Sequence, residues 1–418
     1  MRYTKENIIR LVEEEDVEFI RLQFTDIYGN LKNMAVTASQ LEKAIDNRCM
    51  FDAGCIQGYM TEDEPTMYLY PDFDTFEIFP WRPQQGKVAR MFCDVYTMDR
   101  KPYEADPRYI LKKAIKQAKD MGYDFYVGPE CEFFLFNTDE NALPTTITHE
   151  KAGYFDCGPI DFGENARRDI VLNLEQMNFT VESSHHEMAP AQHEVDFKYD
   201  EALNTADNIQ TFRLAVKTIA KRHGLHATFM PKPKADVNGS GMHLNMSLKK
   251  NGKNIFFDAK DPNGMSKEAY YFMGGIFKHI GAITAVTNPL VNSYKRLSPD
   301  FSPLFRIPKA GKENARVEFR SPDPSANPYL ALAVCLVAGL QGIKEKTEMP
   351  SKALKKGTTT AIPASLIDAV KALEKDSYIK EFLGSELSGS FIKLKKQEWT
   401  DYSRQVTEWE KEQYLDRY

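Results

Sequence analysis

Hydrophobic and polar positions alternate with two different periods along the first hundred residues. Over 4–15, apolar side chains recur at helical spacing behind Thr4, which suits the N-cap of an amphipathic helix. The stretch VEFIRLQFTDIYGNLKNMAVT alternates around a turn at Asp26–Asn30, as a β-hairpin does. TMYLYPDFDTFEIFPW and KVARMFCDVYT are further β-like stretches. Residues 1–101 are therefore predicted to form a small domain of strands with a helix or two.

A break at Lys101–Pro107 separates this part from the rest of the chain. Asp106 and Pro107 suit the N-cap and first position of a helix that ends at Gly122. Strands and helices then mix without the βαβα rhythm of a doubly wound fold. We predict an α+β protein whose second domain, 102–418, is built on a largely antiparallel sheet. The stretch 350–366 is predicted to be a surface loop, and 397–418 a helix.

Polar side chains share one face of several predicted strands, because residues two apart on a strand point the same way. The groups are Glu130 with Glu132, His243 with Asn245 and Ser247, Arg316 with Glu318 and Arg320, and Glu187 with Glu194 around a proline-containing bend. For a single segment, a solvated polar face is the commoner explanation. An apolar FFLF run follows Glu132 directly, however, so this strand is expected to enter a core.

Two buried carboxylates without a cation would be costly, so the set as a whole favours a pocket that holds cations. Carboxylate oxygens are the preferred ligands of Mg²⁺ and Mn²⁺. A site for two or more such ions indicates phosphoryl-transfer chemistry, in which the metals neutralise charge on the transferring group.

Composition excludes several other classes of protein. The chain has 418 residues and a net charge of −6, which argues against non-specific nucleic-acid binding. No apolar run approaches the roughly 18 residues of a membrane span, and the N-terminus lacks the apolar region of a signal peptide. The six cysteines form no CxxC pair and have no zinc-ligand spacing. Free thiols in the cytoplasm are therefore expected, with neither nucleic acid nor membrane as a partner.

Two further features each leave two interpretations open. The glycines of VNGSGMH, 237–243, lack the spacing of a P-loop, so they serve either close approach to a ligand or a tight turn before a strand. Arginines at 296, 306, 316 and 320 are either solvated charges or a clamp for a substrate carboxylate or phosphate.

The chain resembles type I glutamine synthetases of the alpha-type, non-adenylylated branch over nearly its whole length. The matching blocks are GPECEFFLF, SSHHEMAPAQHEVDF, MPKP with VNGSGMH, NPLVNSYKRL, RVEFRSPDPSANPYLALA and WEKEQY. The resemblance implies an N-terminal β-grasp domain and a catalytic domain with a curved sheet. It also implies phosphorylation of the γ-carboxylate of L-glutamate by ATP, after which ammonia displaces the phosphate. Two or three Mg²⁺ or Mn²⁺ ions per site, and a homododecamer of two hexameric rings with active sites between adjacent subunits, are implied as well.

Carried over position by position, the resemblance also implies roles for individual residues. Ligands of one metal are implied at Glu132, Glu187 and Glu194, and those of a second at Glu130, His243 and Glu318. Contacts to glutamate are implied at Asn238, Gly239, Arg296 and Arg320, and contacts to the nucleotide at Glu182, Tyr199, Asn245, Ser247, Arg306 and Arg316. Catalytic roles are implied for Asp52, Arg296, Arg306 and Arg320, with Asp52 binding ammonium at a neighbouring subunit's site.

The chain departs from the family pattern mainly between Arg296 and Arg306, where only residues 297–305 remain. Family members carry a longer flap here, whose glutamate closes the site and helps deprotonate ammonium. An ungapped alignment places Ser302 at that glutamate, and Asp300 is the only carboxylate nearby. Thr61 falls where one branch has an arginine tied to feedback by glutamine, and 350–360 contains no tyrosine that could accept an adenylyl group.

Three hypotheses follow. The retained metal, glutamate and nucleotide positions favour a glutamate–ammonia ligase. The shortened flap motivates the second hypothesis, a γ-glutamyl ligase that takes an organic amine or a different acid. The third is a non-catalytic relative that binds ligands or assembles with an active synthetase.

Overall fold

The computed structural model describes residues 3–59, 66–82, 85–297, 303–355 and 362–418. The N-terminal part contains helices α1 (Lys5–Glu14) and α2 (Leu41–Ile45) with strands β1 (Val17–Thr25), β2 (Leu31–Thr37), β3 (Cys49–Asp52), β4 (Thr66–Pro71), β5 (Glu77–Ile78) and β6 (Lys87–Tyr96). The strands form one sheet in the order β2-β1-β6-β4-β3, with β5 beside β6. In this sheet β1 and β6 are parallel, and the other pairs are antiparallel.

Local sequence signals explain the first elements. Thr4 caps α1 through a capping box with Asn7, and Ile8 and Val12 are buried against the sheet. At the turn between β1 and β2, the Asp26 carboxylate accepts hydrogen bonds from Tyr28 N and Asn30 N. The predicted amphipathic helix and hairpin are thus confirmed, and Thr4 has the predicted role.

The junction between the two parts of the chain is a buried network of charges. Asp106 caps the next helix, α3 (Pro107–Asp120), as predicted. The second residue of that helix, Arg108, donates to the carboxylates of Asp72 and Asp94 in the N-terminal part and of Asp207 in the second part. Charge pairing therefore fixes the N-terminal sheet to the helices of the second part.

The second part is built on an antiparallel sheet in the order β14-β15-β12-β7-β9-β8. Its strands are β7 (Asp124–Asn137), β8 (Val181–His186), β9 (Gln192–Phe197), β10 (Asp200–Glu201), β11 (Leu225–Thr228), β12 (Met242–Lys250), β13 (Lys253–Asn254), β14 (Phe305–Arg306) and β15 (Val317–Phe319). The short strands β10 and β11 pair with β7, and β13 pairs with β12. The 14-residue strand β7 is an interior strand, because it pairs with β12 on one side and with β9 on the other.

Helices pack against this sheet and against one another. They are α4 (Glu164–Gln176), α5 (Ala202–Arg222), α6 (Lys267–Lys278), α7 (Ile280–Thr287), α8 (Ser293–Arg296), α9 (Pro328–Glu345), α10 (Leu366–Lys375), α11 (Ser377–Leu383), α12 (Ser385–Ser403) and α13 (Glu408–Tyr414). Helix α9 is apolar nearly all round and packs between α3 and α6 at the centre of the core. Among the described residues, no helix combines the length and apolar character needed to cross a bilayer.

The predicted fold class, α+β with a largely antiparallel catalytic sheet, is confirmed, but three details differ. Glu187 lies just beyond β8, in the bend, rather than in a strand. Part of the predicted loop is a 3₁₀ turn, Ser351–Leu354, anchored by the buried Ala353. The C-terminal segment is broken between α12 and α13, where Thr407 starts a new helix with its own capping box. Thr61, Asp300 and Ser302 lie outside the described residues.

Candidate active site

The register of three strands brings the predicted polar residues to one face of the sheet. His243 on β12 lies directly opposite Glu130 on β7. On the other side of β7, Glu132 lies opposite Glu194. Because neighbouring antiparallel strands place opposite Cβ atoms about 5 Å apart, the carboxylates form a compact patch.

The first group of possible metal ligands contains Glu130, His243 and Glu318, each with one ligand atom within 4.8 Å of the others. The Nδ1 atom of His243 is 3.1 Å from Glu130 Oε2 and 3.7 Å from Glu318 Oε1. Glu318 is completely buried on β15. These are the three residues that the resemblance assigns to a single ion.

The second group contains His185, Glu187 and Glu194. His185 Nε2 lies 2.9 Å from Glu187 Oε1, while Met188 N donates to the other carboxylate oxygen of Glu187. The sequence interpretation did not include His185. It placed Glu132 with Glu187 and Glu194 instead, and Glu132 lies opposite Glu194 across the β7–β9 ladder.

Glu132 is held by the protein itself. Its Oε2 atom accepts hydrogen bonds from Gln192 Nε2 and from Gly241 N, both at 2.9 Å. Burial raises the pKa of this carboxyl group, and the positive charges of His243 and Arg296 act against that rise. Its orientation is therefore fixed without any bound ion.

The pKa shifts of the carboxylates indicate that the patch binds cations. Burial would raise the pKa of Glu130, but hydrogen bonds from His243 and Asn245 outweigh burial and bring it down to about 2. Burial, followed by the charges of Asp196 and Glu132, raises the pKa of Glu194 to about 12. Crowded carboxylates of this kind can all ionise only if positive charge lies among them. Oxygen ligands with one or two imidazoles suit hard divalent cations, so the donor set fits such ions.

Arginine side chains border the carboxylates. Arg306 Nε and Arg320 Nη1 both donate to the buried Glu318. Arg296 is buried, and its guanidinium donates to the backbone oxygens of Ser321 and Arg320. Arg296 and Arg320 are therefore not solvated surface charges, which was one of the two interpretations of these arginines.

The glycine-rich turn before β12 packs tightly against the protein's own atoms. A Cβ atom at Gly239 would lie 2.3 Å from Pro231 O, and one at Gly241 would lie 2.4 Å from Arg296 Nη2. Asn238 beside them is exposed. Packing therefore requires glycine at 239, and a side chain at 241 would displace the Arg296 guanidinium.

A cavity of about 390 Å³ adjoins the carboxylate patch. Five of the six predicted nucleotide-contact residues line it: Glu182, Tyr199, Asn245, Ser247 and Arg316. Arg306, the sixth, lies at Glu318 instead. Asn245 joins cavity and patch, because its Nδ2 donates to Glu130 Oε1 at 2.8 Å while its Oδ1 accepts from Arg316 Nε at 2.9 Å.

Two family models match the chain. The one described as the β-grasp domain of glutamine synthetase covers residues 16–98, and the one described as the catalytic domain covers residues 104–414. The chain belongs to the glutamine synthetase family. Membership explains why ATP and divalent-metal chemistry are expected at a patch of carboxylates beside a cavity.

Relatives of similar length support this assignment. A glutamine synthetase from Clostridium saccharobutylicum is 54% identical, with both chains covered in full. One from Staphylococcus aureus strain N315 is 50% identical over 100% of this chain and 99% of the relative. Both alignments run over 441 positions, more than the 418 residues of this chain, so this member of the family lacks segments that the relatives have.

Solved structures agree in fold. A structure of apo GmaS without ligand has a TM-score of 0.89 at 32% identity, covering 98% of this chain and 99% of that one. A cryo-EM structure of Plasmodium falciparum glutamine synthetase has a TM-score of 0.87 at 26% identity, with 99% of each chain covered.

One predicted residue lies elsewhere in this glutamine synthetase-family chain. Asp52 ends β3 in the N-terminal sheet, is exposed, and accepts a hydrogen bond from Gly54 N at 2.9 Å. This contact is local and does not involve the carboxylate patch. This placement leaves Asp52 available to the site of a neighbouring subunit, as the resemblance implies.

Behind Glu187 lies a buried network that the sequence interpretation missed. His186 Nδ1 contacts the backbone oxygen of Glu187, and its Nε2 is 2.8 Å from Glu150 Oε1. Glu150 also accepts from Phe162 N and Ala191 N, so it ties the bend that carries Glu187 to a segment far away in sequence. In the sequence, the HH and QH pairs of SSHHEMAPAQHEV were the only signal of this network.

Proposed function

We propose that the protein makes L-glutamine from L-glutamate, ammonia and ATP by way of γ-glutamyl phosphate, releasing ADP and phosphate. The observation that carries the proposal is the juxtaposition of Glu130, His243 and Glu318 with a cavity lined by residues at nucleotide-contact positions. Full-length relatives named glutamine synthetase support the same reaction.

The residues of the patch suit the first half of that reaction. We assign Glu130, His243 and Glu318 to one divalent ion, and Glu132, Glu187 and Glu194 to a second, with Mg²⁺ or Mn²⁺ as the metal. When bound, such ions offset the repulsion between nucleotide phosphates and a substrate carboxylate. The protein holds these ligands in place through Asn245, Gln192 and Arg320.

A side-chain nucleophile is not required, because the γ-carboxylate of the substrate attacks the phosphorus itself. The buried cysteines agree with this, since burial raises the pKa of Cys131 to about 12 and keeps that thiol protonated. We assign Arg296, Arg320, Asn238 and Gly239 to the glutamate side of the site. Arg306 and Arg316 then serve the phosphate side, where guanidinium groups match phosphate geometry.

A second candidate differs only in the amine. The shortened segment 297–305 lacks the flap glutamate that the family resemblance leads one to expect. Without that carboxylate, ammonium loses its usual base, and a wider entrance would admit an organic amine. The phosphoryl-transfer residues would remain the same in such a γ-glutamyl ligase.

We also propose a homododecamer of two hexameric rings in the cytoplasm, with 1–101 and 102–418 as the two domains. The exposed position of Asp52 at the end of β3 in the N-terminal sheet supports active sites shared between subunits. Exposed apolar residues in the last helix and its flanks, Val406, Trp409 and Leu415, suit an intersubunit contact. All six cysteines are unpaired, which suits a reducing compartment.

The test is ATP-dependent phosphate release by the purified protein with Mg²⁺ and L-glutamate, comparing ammonium with methylamine, ethylamine and hydroxylamine. Release that depends on ammonium, with glutamine as the product, supports the first proposal. Release with an organic amine but not with ammonium would replace it by the second. Light scattering on the same sample checks for a particle of twelve chains of 47.9 kDa each.

A further inference from the structure

Strands β7 and β9 carry four carboxylates in a square. Glu130 lies directly opposite Asp196, and Glu132 lies directly opposite Glu194. The two carboxylates on each strand are two residues apart, so all four side chains leave the same face of the sheet. Three corners of this square already have a metal-ligand role in the proposed function, whereas Asp196 has none.

The half-buried side chain of Asp196 has one carboxylate oxygen that its surroundings leave unsatisfied. Its Oδ2 atom accepts a hydrogen bond from Ser183 Oγ. Its Oδ1 atom is buried and has no hydrogen-bond donor among the described residues. The Glu194 carboxyl is the other polar side chain in contact with Asp196. An unsatisfied buried carboxylate oxygen costs free energy that a cation would recover.

The geometry of the square reinforces this conclusion. Four carboxylates leave one face of two neighbouring strands, and opposite positions on such strands have Cβ atoms about 5 Å apart. Carboxylates this close repel one another unless a cation lies among them.

Asp196 also lies at the boundary between two parts of the site. Together with Glu130, Ser183 and Glu182 it lines the cavity that we assign to the nucleotide. An oxygen in this position faces the side of the metal centre where nucleotide phosphates would approach.

We propose that Asp196 is a further ligand residue of the metal centre, contributing Oδ1, directly or through one water, to one of the two divalent cations that we assign to the carboxylate patch. This inference rests on the metal use of the proposed function and adds a residue to it. The alternative is a structural role, in which Asp196 only anchors β8 through Ser183.

The test measures Mn²⁺ binding to the intact oligomer without nucleotide, using the electron paramagnetic resonance signal of free Mn²⁺. Asp196→Asn keeps the size of the side chain and an acceptor for Ser183 but removes the charge. This variant is expected to lower the affinity of one class of Mn²⁺ sites by about 10-fold or more, which is the range for residues that support a metal site. Asp200→Asn is the matched control, because Asp200 on β10 has both carboxylate oxygens hydrogen-bonded to Glu201 N and Asn204 Nδ2.

A second readout separates a ligand from a structural residue. In metal-free protein, Asp196→Asn should raise the melting temperature or leave it unchanged, since it relieves repulsion, and Mn²⁺ should then stabilise the variant less than the wild type. Unchanged Mn²⁺ affinity together with a lower metal-free melting temperature would overturn the proposal and assign Asp196 a structural role. Asp196→Ala repeats the test without any oxygen at this position. If the wild type itself bound no Mn²⁺, the metal centre of the proposed function would fail, which is a different result.

Discussion

His243 lies directly across the β7–β12 ladder from Glu130, with its Nδ1 atom 3.1 Å from Glu130 Oε2. The same ring nitrogen is within 3.7 Å of Glu318 Oε1, so one imidazole bridges two strands of the sheet. A neutral imidazole presents a lone pair to a metal at the position where it now meets carboxylates. Replacing His243 therefore distinguishes a metal site from a network of ion pairs.

The first prediction concerns His243 itself. His243→Gln should weaken Mn²⁺ binding by about 10- to 100-fold, because it removes the imidazole from the group. The metal-free melting temperature should change little, since Asn245 continues to hydrogen-bond Glu130. Mn²⁺ titration and thermal denaturation of the same sample check both statements, and unchanged affinity would mean that His243 only pairs with Glu130.

The second prediction concerns Glu318, which is buried between Arg306 and Arg320. Glu318→Ala should reduce ATP-dependent phosphate release more than about 100-fold, because it removes a metal ligand and leaves two guanidinium groups without this partner. Glu175→Ala, on the exposed face of α4, is the control and should keep full activity. Near-normal phosphate release by the Glu318 variant would show that the metal assignment is wrong.

A third prediction concerns the junction between the two parts of the chain. Arg108→Met should lower the free energy of unfolding by about 3–5 kcal/mol, because it leaves the carboxylates of Asp72, Asp94 and Asp207 without their shared cation. Arg10→Met removes only an exposed contact to Glu14 at 3.8 Å and should cost less than about 0.5 kcal/mol. Urea denaturation at one protein concentration measures both, and equal losses in the two variants would contradict the buried network.

The fourth prediction concerns the pH dependence of stability. Burial, followed by the negative charge of Asp94, raises the pKa of Asp106 from 3.8 to about 7. The folded protein therefore binds a proton between these pH values that the unfolded chain releases, so this group contributes less stability as pH rises from 4 to 7.

Asp106→Asn removes this titration while leaving a side chain that caps α3. Relative to the wild type, the variant should gain about 2–3 kcal/mol of unfolding free energy between pH 5 and pH 8. Parallel urea denaturation curves at several pH values measure the difference. A difference that stays constant over this range would mean that Asp106 is ionised throughout.

The sequence predicted features that depend on local spacing. The α1 cap at Thr4, the hairpin around Asp26 and the start of α3 at Pro107 all follow from a few adjacent residues. The shared face of Glu130 and Glu132 follows from the two-residue repeat of a strand in the same way.

Features that depend on register and packing could not be predicted. Which residue of β9 opposes Glu130 is decided by strand pairing, and this is why Asp196 gave no signal. Glu150 reaches His186 across 36 positions of sequence through a segment without regular periodicity. The break before Thr407 interrupts a polar stretch whose composition suits helix on both sides.

The measurement that tests the account most directly is incorporation of ¹⁵N from ammonium into the side-chain amide of glutamine. Wild-type protein with ATP, Mg²⁺ and L-glutamate should form labelled glutamine and release one phosphate for each molecule, and Glu318→Ala should form almost none. Phosphate release without labelled glutamine, or labelled glutamine at equal rates from both proteins, would contradict the account.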